Sequence, residues 1–143
     1  MRAALEAARA AGSASEVPVG AVVVRRGEIV ATGANAPRGT CDPTAHAEIV
    51  AIRRAAQVLG RDRLEDCDLW VTLEPCAMCA GAIAHARIAR LYWGAADHKG
   101  GAVEHGPRFF GQPTCHHRPE LYGGIGESEA GALLREFFAE RRR

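Results

Sequence analysis

The sequence lacks the features that would direct a protein out of the cytosol or into a bilayer. Its first eleven residues are apolar but broken by Arg2, Glu6 and Arg9, so they do not form the continuous apolar stretch of a secretory leader. No later run approaches the roughly 20 apolar residues that a membrane-spanning helix needs. Cysteine occurs as an odd count of five, which suits reduced thiols or metal ligands better than a closed disulfide framework. We therefore expect a cytoplasmic protein with no membrane partner. An excess of charge is missing too, since 18 basic and 17 acidic residues leave a net +1. Global charge gives no nucleic-acid footprint. Two local groups, Arg135 with Arg141, Arg142 and Arg143, and Arg108 with His116, His117 and Arg118, read first as solvated surface. There is no internal repeat, linker or low-complexity tract. With 143 residues, 48% of them apolar, the chain is expected to form a single domain over 1–143 around one core.

What is present is an alternation of strand-like and helix-like segments. Met1 to Ala11 reads as a helix stopped at Gly12. Val19–Val24 and Glu28–Thr32 are β-branched runs joined by Arg25-Arg26-Gly27, the pattern of a hairpin. Gly33–Pro43 reads as loop. From Ala45 to Leu59 the residues Ala45, Ile49, Ile52, Ala56 and Leu59 recur at helical spacing, and Gly60 stops them. Leu69–Leu73 is a strand, and Glu74-Pro75 opens a helix to about Arg87, with proline tolerated in the first turn. Leu91–Trp93 is a further strand. Asp97–Pro119 is irregular, with a short strand near Leu121. A last helix presents Ala130, Leu133, Leu134, Phe137 and Phe138 as one apolar stripe. This order predicts an α/β layer structure in which helices cover a sheet.

The chemistry-bearing residues lie at two helix starts. Cys76 and Cys79 are three apart, so both sulfurs can face one point. A helix N-terminus also favours the thiolate that binds metal. His46, at the start of the other helix, is the natural third ligand, and a Cys/Cys/His set on zinc leaves a fourth position open to water. Zinc lowers the pKa of such a water, making it the nucleophile near neutral pH. Glu48, two residues past His46, can then carry protons as the catalytic acid/base. A structural zinc site is the rival, with Cys41, Cys67, Cys115 or another histidine as fourth ligand. It leaves Glu48 and Pro75 without a purpose. Cys41 and Cys67 otherwise read as ordinary thiols, Trp70 and Trp93 as core, and Cys115-His116-His117 is unassigned.

The string His46-Ala47-Glu48 followed by Pro75-Cys76-Ala77-Met78-Cys79 matches the signature of zinc nucleobase deaminases. Together with Glu16-Val17-Pro18-Val19-Gly20-Ala21-Val22, Asp42-Pro43-Thr44-Ala45-His46-Ala47-Glu48, Thr72 through Ile83 and the Phe137-Phe138 pair, it resembles the cytidine-deaminase-like superfamily. Within that superfamily it is most similar to the bacterial tRNA-specific adenosine deaminases. The resemblance runs from about Glu16 to Arg142.

It implies a three-layer α/β/α fold with a five-stranded mixed sheet, one zinc-dependent deaminase domain with one Zn2+ per chain, and a homodimer. It also implies hydrolysis of adenosine to inosine at the wobble position of a tRNA anticodon loop. Substrate contacts fall to Asn35, Ala47, Asp97 and Lys99, with Asn35 bonding the base. The small residues Ala80, Gly81, Ala84 and Ala86 on the cysteine helix suit either a dimer contact or close packing on their own sheet. Asp97 suits either a ribose 2′-hydroxyl contact or a cap on the turn before Lys99-Gly100-Gly101. The basic tail of some relatives shrinks here to Arg141–Arg143. The Asp42–Glu48 string is shared with guanine deaminases, so a free-base or nucleoside deaminase is the nearest alternative. A non-catalytic zinc subunit would not need Glu48.

Overall fold

A computed structural model of the chain describes residues 1–142; Arg143, counted above in the terminal cluster, lies outside the described residues. Five strands form one mixed sheet: β1 (Gly20–Arg25), β2 (Glu28–Ala34), β3 (Cys67–Leu73), β4 (Arg90–Ala95) and β5 (Glu120–Tyr122), in the spatial order β2-β1-β3-β4-β5. The pairs β1–β2 and β1–β3 are antiparallel, whereas β3–β4 and β4–β5 are parallel. The expected hairpin is present. Its turn residues Arg26 and Gly27 both take positive φ, 51° and 79°, the twist that a two-residue hairpin loop needs.

Helices α1 (Arg2–Ser13) and α5 (Glu127–Arg141) cover one face, and α3 (Ala47–Leu59) and α4 (Ala77–Ala86) the other, while the short α2 (Pro37–Thr40) lies in the loop after β2. This is the expected three-layer arrangement. The main core lies on the α3/α4 side, where Val23, Leu69, Val71, Leu91 and Trp93 meet Ala51, Ala55, Ile83 and Ala84. A smaller cluster of Leu5, Ala95 and Ala130 joins α1 and α5 to the opposite face. On that second face the sheet also carries an aromatic ladder. Trp70 stacks on Tyr92 at 3.8 Å and 5°, and Tyr92 on Tyr122 at 5.0 Å and 18°.

Two glycines set how closely the helices approach. A Cβ on Gly20 would stand 2.1 Å from the Ala4 carbonyl oxygen, and one on Gly33 would stand 2.3 Å from that of Ala47. Only glycine lets α1 and α3 lie this near the strands, and only small side chains fit on the helices facing them. The most deeply buried line of α3 is therefore Ala47, Ala51 and Ala55, beside the stripe of larger residues that periodicity picks out.

Several boundaries differ from the sequence expectation. Helix α1 continues through Gly12 to Ser13. Strand β2 reaches Ala34, and Pro37–Thr40 is helical. Helix α4 starts after Cys76, so Pro75 precedes the cap and is not in the first turn. The stripe of α5 is not a core stripe throughout: Ala130 is buried, but Leu133, Leu134 and Phe137 are half-buried and Phe138 is exposed. Phe137 and Phe138 instead line a cavity of about 410 Å³ with Val17, Asn35, Pro37 and Arg141. Trp93 is buried as expected, whereas Trp70 is half-buried in the aromatic ladder.

Candidate active site

The metal-ligand candidates occupy equivalent positions on two helices. His46 is the N-cap of α3 and Cys76 the N-cap of α4, both with extended backbone, and Cys79 follows one turn into α4. The chain is steered into His46 by Asp42, whose Oδ1 accepts from the Thr44 N–H at 2.9 Å and from the Thr44 hydroxyl at 2.7 Å. Both helix dipoles point their positive ends at the same spot, which favours anionic sulfur there.

His46 Nδ1 lies 3.6 Å from Cys76 Sγ and 3.5 Å from Cys79 Sγ. The ligand atoms of all three residues fall within 4.8 Å of one another, and this is the one such group among the described residues. Zinc held tetrahedrally, at about 2.3 Å from sulfur and 2.0–2.1 Å from nitrogen, sets N···S edges of about 3.6 Å. The side chains therefore fit zinc as they stand. Cys41, Cys67 and Cys115, weighed above as a fourth ligand, are not in the group.

The electrostatics agree. A hydrogen bond from the Cys79 thiol, joined by His46, pushes Cys76 down to about 4. The same bond and burial push Cys79 up, while the Cys76 sulfur raises His46. The three groups compete for protons, and a shared dication satisfies all of them at once. Glu48 sits in the first turn of α3 and is only 4% exposed. Burial pushes its carboxyl up to about 7.

The remaining predicted residues are not part of the ligand group itself. Ala47 is fully buried, its carbonyl against Gly33. Asn35, half-buried just past β2, is on the wall of the 410 Å³ cavity, which His46, Glu48 and the cysteines do not line. The cavity's rim is set by Glu16, a buried carboxylate that accepts from the Arg38 N–H at 3.2 Å and the Gly39 N–H at 2.7 Å. Arg141 lies over the Phe137 ring at 4.6 Å and donates to the Ser15 carbonyl. Asp97 Oδ1 accepts from the N–H groups of Lys99 at 3.1 Å and Gly100 at 2.9 Å, so the turn-cap reading of Asp97 holds. Lys99 is exposed.

Three sequence features receive structural explanations. Ala80, Ala84 and Ala86 are buried in their own core, leaving Ala77 and Met78 exposed and Gly81 and Ala82 half-exposed on α4. His117 donates to the Ile88 carbonyl at 2.7 Å, and the Cys115 thiol donates to the His117 carbonyl, so that segment anchors a loop. Glu74 is the residue that sequence reasoning missed. It reads as the start of a helix, yet it is a buried carboxylate, 2% exposed, with loop amides gathered around it. An acidic residue ending an apolar strand, with proline next, is the one signal of it.

Residues 1–95 match the family model for the cytidine and deoxycytidylate deaminase zinc-binding region. A tRNA-specific adenosine deaminase of Agrobacterium fabrum is 58% identical over 142 residues, spanning 99% of this chain and 93% of that protein. A solved structure from work on A-to-I editing by tRNA:A34 deaminases at the wobble position of transfer RNA superposes with a TM-score of 0.93 and 57% identity, covering 94% of this chain and 97% of that one. The guanine deaminase of Nitrosomonas europaea is more distant, with a TM-score of 0.78 and 29% identity over 95% of this chain and 81% of that one.

Proposed function

The chain belongs to the cytidine and deoxycytidylate deaminase zinc-binding family, and we infer that it is a tRNA adenosine deaminase converting adenosine to inosine at the wobble position. The observation that carries this reading is the likeness to tRNA-specific adenosine deaminases along nearly the entire chain, at 58% identity, with the His46, Cys76 and Cys79 ligand atoms gathered beside a buried Glu48.

His46, Cys76 and Cys79 would hold a zinc ion, which when bound would polarise a water for attack. Glu48 would take a proton from the attacking water and pass it to the ring nitrogen beside adenine C6. The new C6–O bond would form, the remaining proton of that oxygen would pass through the same carboxyl to the amino group, and the C6–N bond would break to release ammonia and leave the C6 carbonyl. Burial of Glu48 keeps bulk water from competing for these protons. Asn35 offers both a donor and an acceptor to the base edge. An anticodon loop suits such a site because its bases are already partly unstacked, so extrusion of one costs little.

Asp97 and Lys99 lie on the loop assigned to the nucleotide chain. The two turn contacts of Asp97 converge on Oδ1, leaving Oδ2 to accept from a ribose 2′-hydroxyl. The exposed patch of Ala77 and Met78 on α4 supports a homodimer with that helix at its interface, and light scattering at micromolar concentration would read it directly. Among the described residues no helix is long and apolar enough to cross a membrane, and the five cysteines are free, which supports a cytoplasmic reaction.

The test is inosine formation in an anticodon stem-loop RNA incubated with the zinc-loaded chain, beside free guanine, cytosine and adenosine. Inosine in the stem-loop without turnover of free bases supports the reading. Turnover of free guanine alone would replace it with that of the more distant relative.

A further inference from the structure

We propose that Glu74 is a positioning residue: it fastens the Asp97–His105 loop to the start of the metal-bearing helix and so places the substrate-selecting loop relative to the reaction centre. The proposal rests on the deaminase reading above and extends it to a residue that touches neither zinc nor base.

Glu74 lies between β3 and the Pro75-Cys76 step, and its backbone N–H donates to the Ala95 carbonyl at 2.9 Å. Its carboxylate is surrounded by donors from a single loop. Oε1 accepts from the Asp97 N–H at 3.0 Å and from His105 Nδ1 at 2.7 Å. Oε2 accepts from the N–H groups of Val103 at 3.1 Å, Glu104 at 2.9 Å and His105 at 3.1 Å. Three successive amides converging on one oxygen make an anion-holding nest, here filled by the chain's own side chain. Next to it, the Ala102 N–H donates to the Pro75 carbonyl at 2.9 Å. The loop closes so tightly on the carboxylate that a Cβ on Gly101 would lie 2.6 Å from Oε2.

A buried carboxylate costs several kcal/mol of desolvation unless donors replace its water. An apolar residue would fill the same space without that cost, so packing alone does not account for Glu74. What it does that no apolar residue can is hold, from one end of β3, the amides of residues 97 and 103–105. The loop spans the stretch from Asp97 through Lys99, the two residues assigned to the nucleotide chain. Two residues beyond Glu74 is Cys76, so the same short segment sets both the metal ligand and the loop.

The test is Glu74→Gln in the full, zinc-loaded chain. Glutamine can keep an oxygen under the Val103–His105 amides, but its NH2 then faces the Asp97 N–H and that tether is lost. We expect unchanged zinc content and circular dichroism, and hydrogen exchange at the Asp97 amide faster by at least about 10-fold. For the anticodon stem-loop we expect KM to rise by about 10-fold with kcat within about twofold of the parent. His105→Ala, at a half-exposed position, removes one donor to Oε1 and leaves the buried carboxylate with its four backbone amides; it should shift KM in the same direction by less, and it carries the test if Glu74→Gln fails to fold. Parent-like exchange and KM would overturn the proposal, as would loss of zinc with a fall in kcat alone, which would place the role of Glu74 in the metal helix. Amide exchange needs no substrate. If the parent fails to edit the stem-loop, the deaminase reading falls while the loop tether is still decided.

Discussion

His46 Nδ1 and Cys79 Sγ stand 3.5 Å apart although 33 positions separate them in the chain, because α3 and α4, side by side on one face of the sheet, begin at the same point. Their separation is that of two ligands on one zinc ion. Cys76→Ser and Cys79→Ser should each lower bound zinc well below one per chain by metal analysis, and both should lower Tm because the site ties two helix starts together. Cys115→Ala should keep its zinc. Thiol titration gives an independent check: exposed Cys41 should react in the loaded protein, and a chelator should release two further thiols. Cys67, buried and pushed up to about 11 by that burial, should react only on unfolding. Full zinc in Cys79→Ala together with loss in Cys115→Ala would refute the ligand assignment.

Glu48→Ala should retain zinc and fold while losing nearly all turnover. A placed acid/base contributes about 10²–10⁴-fold, and this carboxyl handles more than one proton, so the deficit in kcat should reach at least that range. Single-turnover rates on a stem-loop with saturating enzyme measure it without interference from binding. A rate close to the parent's would remove Glu48 from the mechanism.

That His46, Cys76 and Cys79 would gather at two helix starts with Glu48 in the first turn was legible because it depends on residue type and local spacing, which sequence displays. The α/β layering was legible for the same reason. What was not legible depends on distance between backbones. The buried face of α3 runs along Ala47, Ala51 and Ala55 because Gly33 admits the helix so closely, and alanine carries little hydrophobic signal. Phe137 and Phe138 have the spacing of core residues, yet they border a cavity beside Asn35, because α5 reaches past the edge of what it covers. Glu74 looks like a helix opener, and its partners lie more than twenty residues downstream.

Asp97→Asn should keep the turn, since an amide oxygen can accept from the Lys99 and Gly100 amides as Oδ1 does. It replaces the outer oxygen by a donor, so the ratio of rates on an RNA stem-loop and a matched DNA hairpin should fall, with Tm unchanged. A ratio identical to the parent's would leave Asp97 as a turn cap alone.

Acid should loosen the corner where β1, α3 and β3 meet. Asp66 bonds Arg25 Nε at 2.6 Å and Arg61 Nη2 at 2.5 Å, and these guanidiniums, Arg25 first, hold its carboxyl well below the usual range. A carboxyl lowered on folding stabilises above its unfolded pKa of about 3.9, and that contribution is lost as pH falls through the folded value. Asp66→Asn should therefore have a lower Tm than the parent at pH 6, with the gap closing as the pH drops below about 4. Salt should shrink the gap at pH 6, because the Arg61–Asp66 pair is more than a third exposed. A gap that stays constant down to strongly acidic solution would show that the carboxylate charge contributes nothing there.

The ladder of Trp70, Tyr92 and Tyr122 gives the molecule a built-in optical gauge. Each ring comes from a different strand, and neighbours stack face to face within 5.0 Å, a separation at which light absorbed by either tyrosine passes to the indole before it can be emitted. The intact sheet should thus be nearly silent in tyrosine fluorescence and show coupled aromatic bands in near-ultraviolet circular dichroism. Strand β5 is three residues long and pairs only with β4, so it is the first strand placed to peel away. Its departure would carry Tyr122 off the stack, and tyrosine emission would brighten.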